Sequence, residues 1–157
     1  FWQYNHSLIC GTFTDEQIKK PLFLIWVEPY LCGGHCIFLH PSNPEFDKYF
    51  KDDFFKYNVI EGDEYKSSNK NLSLRETGCQ TTYITYSGAN VISFISSLYP
   101  YISSIIEFNK TKSTSYTWLG NTDEIKKLGI KISSQYENIN MGVIVEHELW
   151  IKENLEE

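Results

Sequence analysis

The stretch LIWVEPYLCGGHCIFLHP, Leu24 to Pro41, constrains the fold more than any other part of the chain. The apolar run PLFLIWV (Pro21 to Val27) reads as a strand buried on both faces. Within a few residues it passes into two cysteines, two glycines and two histidines, so a buried strand must hand the chain to a turn that carries thiols. At a loop-to-helix junction, Cys32 would face unpaired backbone N–H groups and the positive end of the helix dipole, which favour thiolate. Cys36, one turn further in, would share that helix face. Such a pair can form a strained disulfide or chelate one ion. Gly33 and Gly34 each cost a helix about 1 kcal/mol relative to alanine, and they clear space for an approaching backbone or sulfur partner. His35 is a candidate cation lowering the thiol pKa, or a third ligand. The competing reading is plain: buried free cysteines are ordinary core residues, and paired glycines often only make a turn.

At 157 residues, 41% hydrophobic and 16% aromatic, the chain has enough apolar surface for one compact domain spanning residues 1–157. Its net charge of −6 argues against a nucleic-acid partner and against an anionic membrane surface. No transmembrane segment is expected, because VISFISSLYPYISSII is interrupted by Pro100. The chain begins at Phe1, which leaves an upstream signal or anchor open, and with it the compartment; an extracytoplasmic or organellar one is favoured. Four cysteines are too few for a disulfide-built scaffold and too unevenly spaced for a four-thiolate zinc site. Cys10 and Cys79 read as structural thiols.

Periodicity organises the rest. TFTDEQIKK (Thr12 to Lys20) has caps and first-turn acids of a short helix ending at Pro21. In NPEFDKYFKDD (Asn43 to Asp53), Phe46, Tyr49 and Phe50 mark the apolar face of an amphipathic helix, and FFKYNVI (Phe54 to Ile60) follows as a strand. Glu61 to Ser73 is polar and reads as a loop. TTYITY, SGAN and VISFI (Thr81 to Ile95) have the strand, turn, strand form of a hairpin, with a helix from about Ser97 to Asn109. Thr122 to Leu128 reads as a helix stopping near Gly129, and Met141 to Ile151 as a strand.

Strand, helix, strand, hairpin, helix is the order of a thioredoxin-like domain. KKPLFLIWVEPYLCGGHC resembles that superfamily's passage from an apolar strand into its cysteine pair, and TGCQTTYITYSGANVISFI is similar to its closing strand pair. The resemblance covers about residues 12–109, with residues 113–157 as an extra C-terminal helix-strand portion. It implies an α/β, three-layer fold with a mixed central sheet flanked by helices. It also implies Cys32 as nucleophile and Cys36 as resolving thiol, with Cys79 beside them. Two departures stand out: three residues separate the cysteines instead of two, and no proline precedes TTYITY. VIVEHELWI is similar to the late strand of the copper-delivering assembly factors of cytochrome oxidase, which implies Cu(I) ligation by Cys32, Cys36 and His147.

Three functions follow as expectations. The first is thiol–disulfide exchange with a protein disulfide or thiol partner, needing no cofactor. The second is Cu(I) binding or delivery through the same thiols. The third is a redox-inactive interaction domain using exposed aromatics such as Tyr30 and Trp118. No phosphate loop, nucleophile elbow or His-Glu-x-x-His pair is present.

Overall fold

The computed structural model describes residues 19–43, 46–51, 54–66, 74–75, 82–83 and 87–148. In chain order its elements are β1 (Leu22–Val27), β2 (Gly33–Leu39), β3 (Phe50–Lys51), β4 (Phe54–Phe55), α1 (Gly62–Lys66), β5 (Leu74–Arg75), β6 (Thr82–Tyr83), α2 (Gly88–Glu107), β7 (Thr114–Leu119), α3 (Thr122–Lys127) and β8 (Ile144–Glu148). The fold is mixed α/β with few helices. Its centre is a four-stranded sheet in the order β1-β2-β7-β8, and every pair in it is antiparallel.

The segment after Cys32 is where expectation and structure part. Gly33–Leu39 is a strand, paired with β1 on one side and β7 on the other, in place of the helix that the cysteine spacing predicts. Among the described residues no strand pair is parallel, so the β-α-β passage implied by the thioredoxin resemblance is not formed here. The physical reason lies in GGHCIFL itself. Two glycines open it, β-branched and aromatic residues close it, and all seven residues are buried in the middle of the sheet. β1 is a strand as expected, but it lies at the sheet edge and leaves Ile25 44% exposed. The β1–β2 connection closes with Glu28 N–H donating to the Gly33 carbonyl at 2.8 Å. It holds Tyr30 and Leu31 at φ of 57° and 52°, a left-handed conformation that costs about 1–2 kcal/mol per non-glycine residue.

Strand alternation gives the sheet two faces. Phe23 and Val27 of β1, Gly34, Cys36 and Phe38 of β2, and Tyr116 and Trp118 of β7 lie on one face under α2, packed with Phe94, Leu98 and Ile105. The other face carries Trp26, His35, Ile37, Thr117, Leu119, Val145 and His147 in register. It is covered by Phe46, Tyr49 and Phe55 at one end and by Val59, Ile60, Ile125, Ile130 and Tyr136 at the other.

Several local expectations change. Ser87 caps α2 by accepting from the Asn90 N–H at 3.2 Å, so SGAN starts a helix instead of turning a hairpin, and Val91 to Ile95 form its first turns. The helix runs 20 residues straight through Pro100 and is long and apolar enough, by length and composition, to cross a membrane. Phe46–Tyr49 is a single 3-10 turn, although Phe46 and Tyr49 are buried as the spacing predicts. The predicted strand over 54–60 is two residues long before the chain bends, and α1 lies within the predicted loop. α3 forms over the expected residues, with the cap on Asn121 instead of the expected Thr122 and Gly129 at φ 75° after the stop, and β8 lies within the predicted Met141 to Ile151 but starts at Ile144. The predicted helix at Thr12 to Lys20 lies outside the described residues except for its last two.

Candidate functional site: a buried Glu-His-Thr-His chain

The cysteine site does not assemble as the sequence suggested. Cys32 packs among Val59, Ile60, Leu119 and Ile125 on one side of the sheet, and Cys36 among Phe38, Phe94 and Tyr116 on the other. Extended strand from Gly33 to Cys36 carries the second thiol into a different cluster from the first, so the two do not face each other as a disulfide requires. Both residues are fully buried free thiols. Burial pushes the Cys36 thiol up to about 12, and burial together with the nearby Glu28 charge pushes Cys32 up as well. Neither is a thiolate at neutral pH. Among the described residues no group of three His, Cys, Asp or Glu side chains could hold a metal ion, and Cys32, Cys36 and His147 do not converge. Cys10 and Cys79 lie outside the described residues. Trp118 is only 5% exposed and Tyr30 is half-buried, so neither is the open aromatic surface the sequence suggested.

The glycines and the histidine serve something else. A Cβ on Gly33 would collide with Glu28 Oε1 and lie 2.8 Å from Val59 Cγ2; one on Gly34 would lie 2.6 Å from the Phe94 ring. The space they leave is therefore filled by a carboxylate on one face and by helix α2 on the other. That carboxylate belongs to Glu28, which is fully buried at the end of β1. It accepts from the Val59 and Ile60 N–H groups at 2.6 and 2.8 Å and pairs with His35 Nε2 at 2.6 Å.

From this pair a chain of polar groups crosses the face opposite α2. His35 Nδ1 lies 3.2 Å from Thr117 Oγ1, and Thr117 Oγ1 lies 3.1 Å from His147 Nε2. Tyr136 OH donates to the Tyr57 carbonyl at 2.9 Å and lies 3.3 Å from the same His147 nitrogen. One assignment of protons satisfies every member. His35 Nε2–H donates to Glu28, Thr117 O–H turns from the Tyr57 carbonyl, 3.3 Å away, to donate to His35 Nδ1, and His147 Nε2–H donates to Thr117 and Tyr136. Along His147, Thr117 and His35 the donors then point toward the carboxylate, while Tyr136 donates aside to the Tyr57 carbonyl, and His147 Nδ1 keeps a lone pair.

The two imidazoles sit in different surroundings. His35 is fully buried between Trp26 and Phe55, with ring centroids at 5.2 and 5.0 Å, within the range at which an aromatic ring attracts a cation. His147 is half-buried on the edge strand β8, stacked on Tyr57 at 3.9 Å and 8°. Burial, reinforced by His35, lowers the His147 pKa from 6.5 to about 4, so at neutral pH its ring is uncharged. Burial raises Tyr57, Tyr116 and Tyr136, which stay phenols.

Of this chain, the sequence singled out His35 and His147, though for copper or thiol chemistry. Glu28, Thr117 and Tyr136 were missed. Glu28 did leave a signal: it is the single charge between Pro21 and His40, in a stretch with no water-facing period. Thr117 and Tyr136 left none, because their partners come from strands and loops far along the chain. No protein-family model matches this chain, and neither a curated protein nor a solved structure matches it.

Proposed function

We propose that this protein is a general-base catalyst in which His147 takes a proton from a bound molecule and Thr117 relays charge to His35 beside the Glu28 carboxylate. The observation that carries the reading is the unbroken run of contacts, 2.6, 3.2 and 3.1 Å, from a fully buried carboxylate to a half-buried, uncharged imidazole. In the step, the substrate's proton bonds to His147 Nδ1. The His147 Nε2 proton passes to Thr117 Oγ1, and the Thr117 hydroxyl proton passes to His35 Nδ1. The half-buried His147 ring ends neutral and His35 ends as an imidazolium ion-paired with Glu28, next to Trp26. A base with a depressed pKa is a poor proton store, and the relay supplies the better-placed site behind it. The reaction class is proton abstraction, including activation of water for hydrolysis.

The earlier expectations are competing proposals. Thiol–disulfide exchange on a thioredoxin-like fold and Cu(I) delivery both require sulfur atoms that reach solvent and each other. The buried, separated thiols give them less support than the polar chain gives general-base catalysis.

Hydrolysis of p-nitrophenyl acetate tests the reading. The protein should release p-nitrophenolate faster than the same concentration of free imidazole, and Thr117→Val, which cuts the chain but leaves His147 in place, should lower that rate by about a hundredfold. Circular dichroism establishes that the variant is folded. No release above the imidazole rate, or an equal rate in folded Thr117→Val, overturns the proposal.

A further inference from the structure

Helix α2 carries two apolar stripes, and the sheet uses one. Val91, Phe94, Leu98, Tyr101 and Ile105 face the core. Ile92, Ile95, Tyr99 and Ile106 follow the i, i+3, i+7, i+14 spacing of a seam and are 68%, 46%, 68% and 66% exposed. Ile102 lies along the same line, partly packed on the core. From Gly88 to Ile106 the helix has no charged residue, which is unusual for a water-facing helix surface. We propose that this outer stripe is a self-association surface, on which two copies of the chain pair their α2 helices about a two-fold axis.

Three arguments favour a second copy as the occupant. The stripe is self-complementary, since an uncharged ridge of isoleucines flanked by Ser96 and Ser103 can pack against itself, as an isologous interface requires. Its four open side chains present about 400 Å² of apolar area, the size of the largest patch on a typical monomer and often a functional one. Two helices about 30 Å long that pair along it, with the flanking serines, Ile102 and neighbouring backbone included, bury on the order of 1,000 Å², the threshold of a specific but weak dimer. A membrane fits less well. Insertion would strip Phe94, Leu98 and Ile105 from the sheet, and a helix lying on a bilayer uses lysine and arginine along its polar border, where α2 has none.

Sedimentation velocity across 1–200 µM, with neutral phosphatidylcholine vesicles in a parallel series, tests the proposal. The protein should pass from 18.4 kDa to twice that mass as concentration rises, stay off the vesicles, and remain at 18.4 kDa throughout as Ile92→Glu/Ile106→Glu. Both substituted side chains are exposed, and unchanged circular dichroism establishes that the variant is folded. A monomer at every concentration, a dimer that survives the double substitution, or a monomer that sediments with the vesicles overturns the proposal.

Discussion

Gly33→Ala places a methyl group where the Glu28 carboxylate now sits, with Val59 Cγ2 only 2.8 Å away on its other side. Neither neighbour is the free end of a flexible chain. The carboxylate is held by three hydrogen bonds, and Val59 is packed in the core with no exposed surface. The carboxylate must therefore move. Its Oε1 would release both His35 Nε2–H and the Val59 N–H, now at 2.6 Å each, and leave two donors buried without partners. A hydrogen bond to a charged group contributes about 1.5–3 kcal/mol, so the pair is worth about 3–6 kcal/mol. Reduced freedom of the unfolded backbone offsets about 0.4–1 kcal/mol of this. The net loss is about 3 kcal/mol, which for a domain of this size lowers the melting temperature by about 6–12 °C. Urea denaturation followed by tryptophan fluorescence gives the free energy directly, with Gly62→Ala as the control, since a Cβ there meets nothing within 4 Å. A loss below about 1 kcal/mol, or one no larger than the control's, would refute the placement of Glu28 against Gly33 and with it the anchor of the polar chain.

Two further outcomes are expected. The folded state holds His147 at about 4 against 6.5 unfolded, so between those values the unfolded chain binds more protons and stability falls as pH is lowered through that window. Fully felt, the shift amounts to about 3 kcal/mol. Partial exposure screens it to about 1–2 kcal/mol. Urea midpoints from pH 7 to pH 4 should show this slope and lose it in His147→Gln, while an unchanged slope in the variant would place the titration elsewhere. The thiols of Cys32 and Cys36 should resist iodoacetamide in the native state at pH 8 and react fully in 6 M guanidinium, as read by peptide mass mapping; rapid native labelling of either would contradict their burial.

Much of the fold could be read where one strand or helix sets its own pattern. β1, β8 and α3 are local: a run of apolar residues, an alternating one, and a cap with first-turn acids, each satisfied within a few residues. The error at GGHCIFL had a different origin. A cysteine pair four residues apart looks like a helix face only if a helix is assumed, and the glycines that seemed to make a turn are there because a carboxylate and the Phe94 ring approach from opposite sides. Those partners lie at positions 28 and 94, and nothing in the local sequence points to them. α2 was misjudged because SGAN serves equally as a turn and as a helix start, and the Ser87 cap decides in favour of the helix. Its 3.6-residue period, from Val91 through Phe94, Leu98, Tyr101 and Ile105, was present in the sequence but was divided between a hairpin strand ending at Ile95 and a helix starting near Ser97. The candidate site was half legible. Its histidines stood out, but the chemistry they join depends on Thr117 lying beside His35 in the register of β2 and β7, a pairing 82 residues apart in sequence.

The orientation of protons along Glu28, His35, Thr117 and His147 can be measured by long-range ¹H–¹⁵N correlation on ¹⁵N-histidine-labelled protein at pH 7. His147 should be a neutral Nε2–H tautomer with a bare Nδ1, and Thr117→Val should move the His35 Nδ1 resonance by removing the hydroxyl beside it. Doubly protonated His147 at that pH, an Nδ1–H tautomer of His35, or a His35 spectrum indifferent to Thr117→Val would show that the groups do not form a chain directed toward the carboxylate.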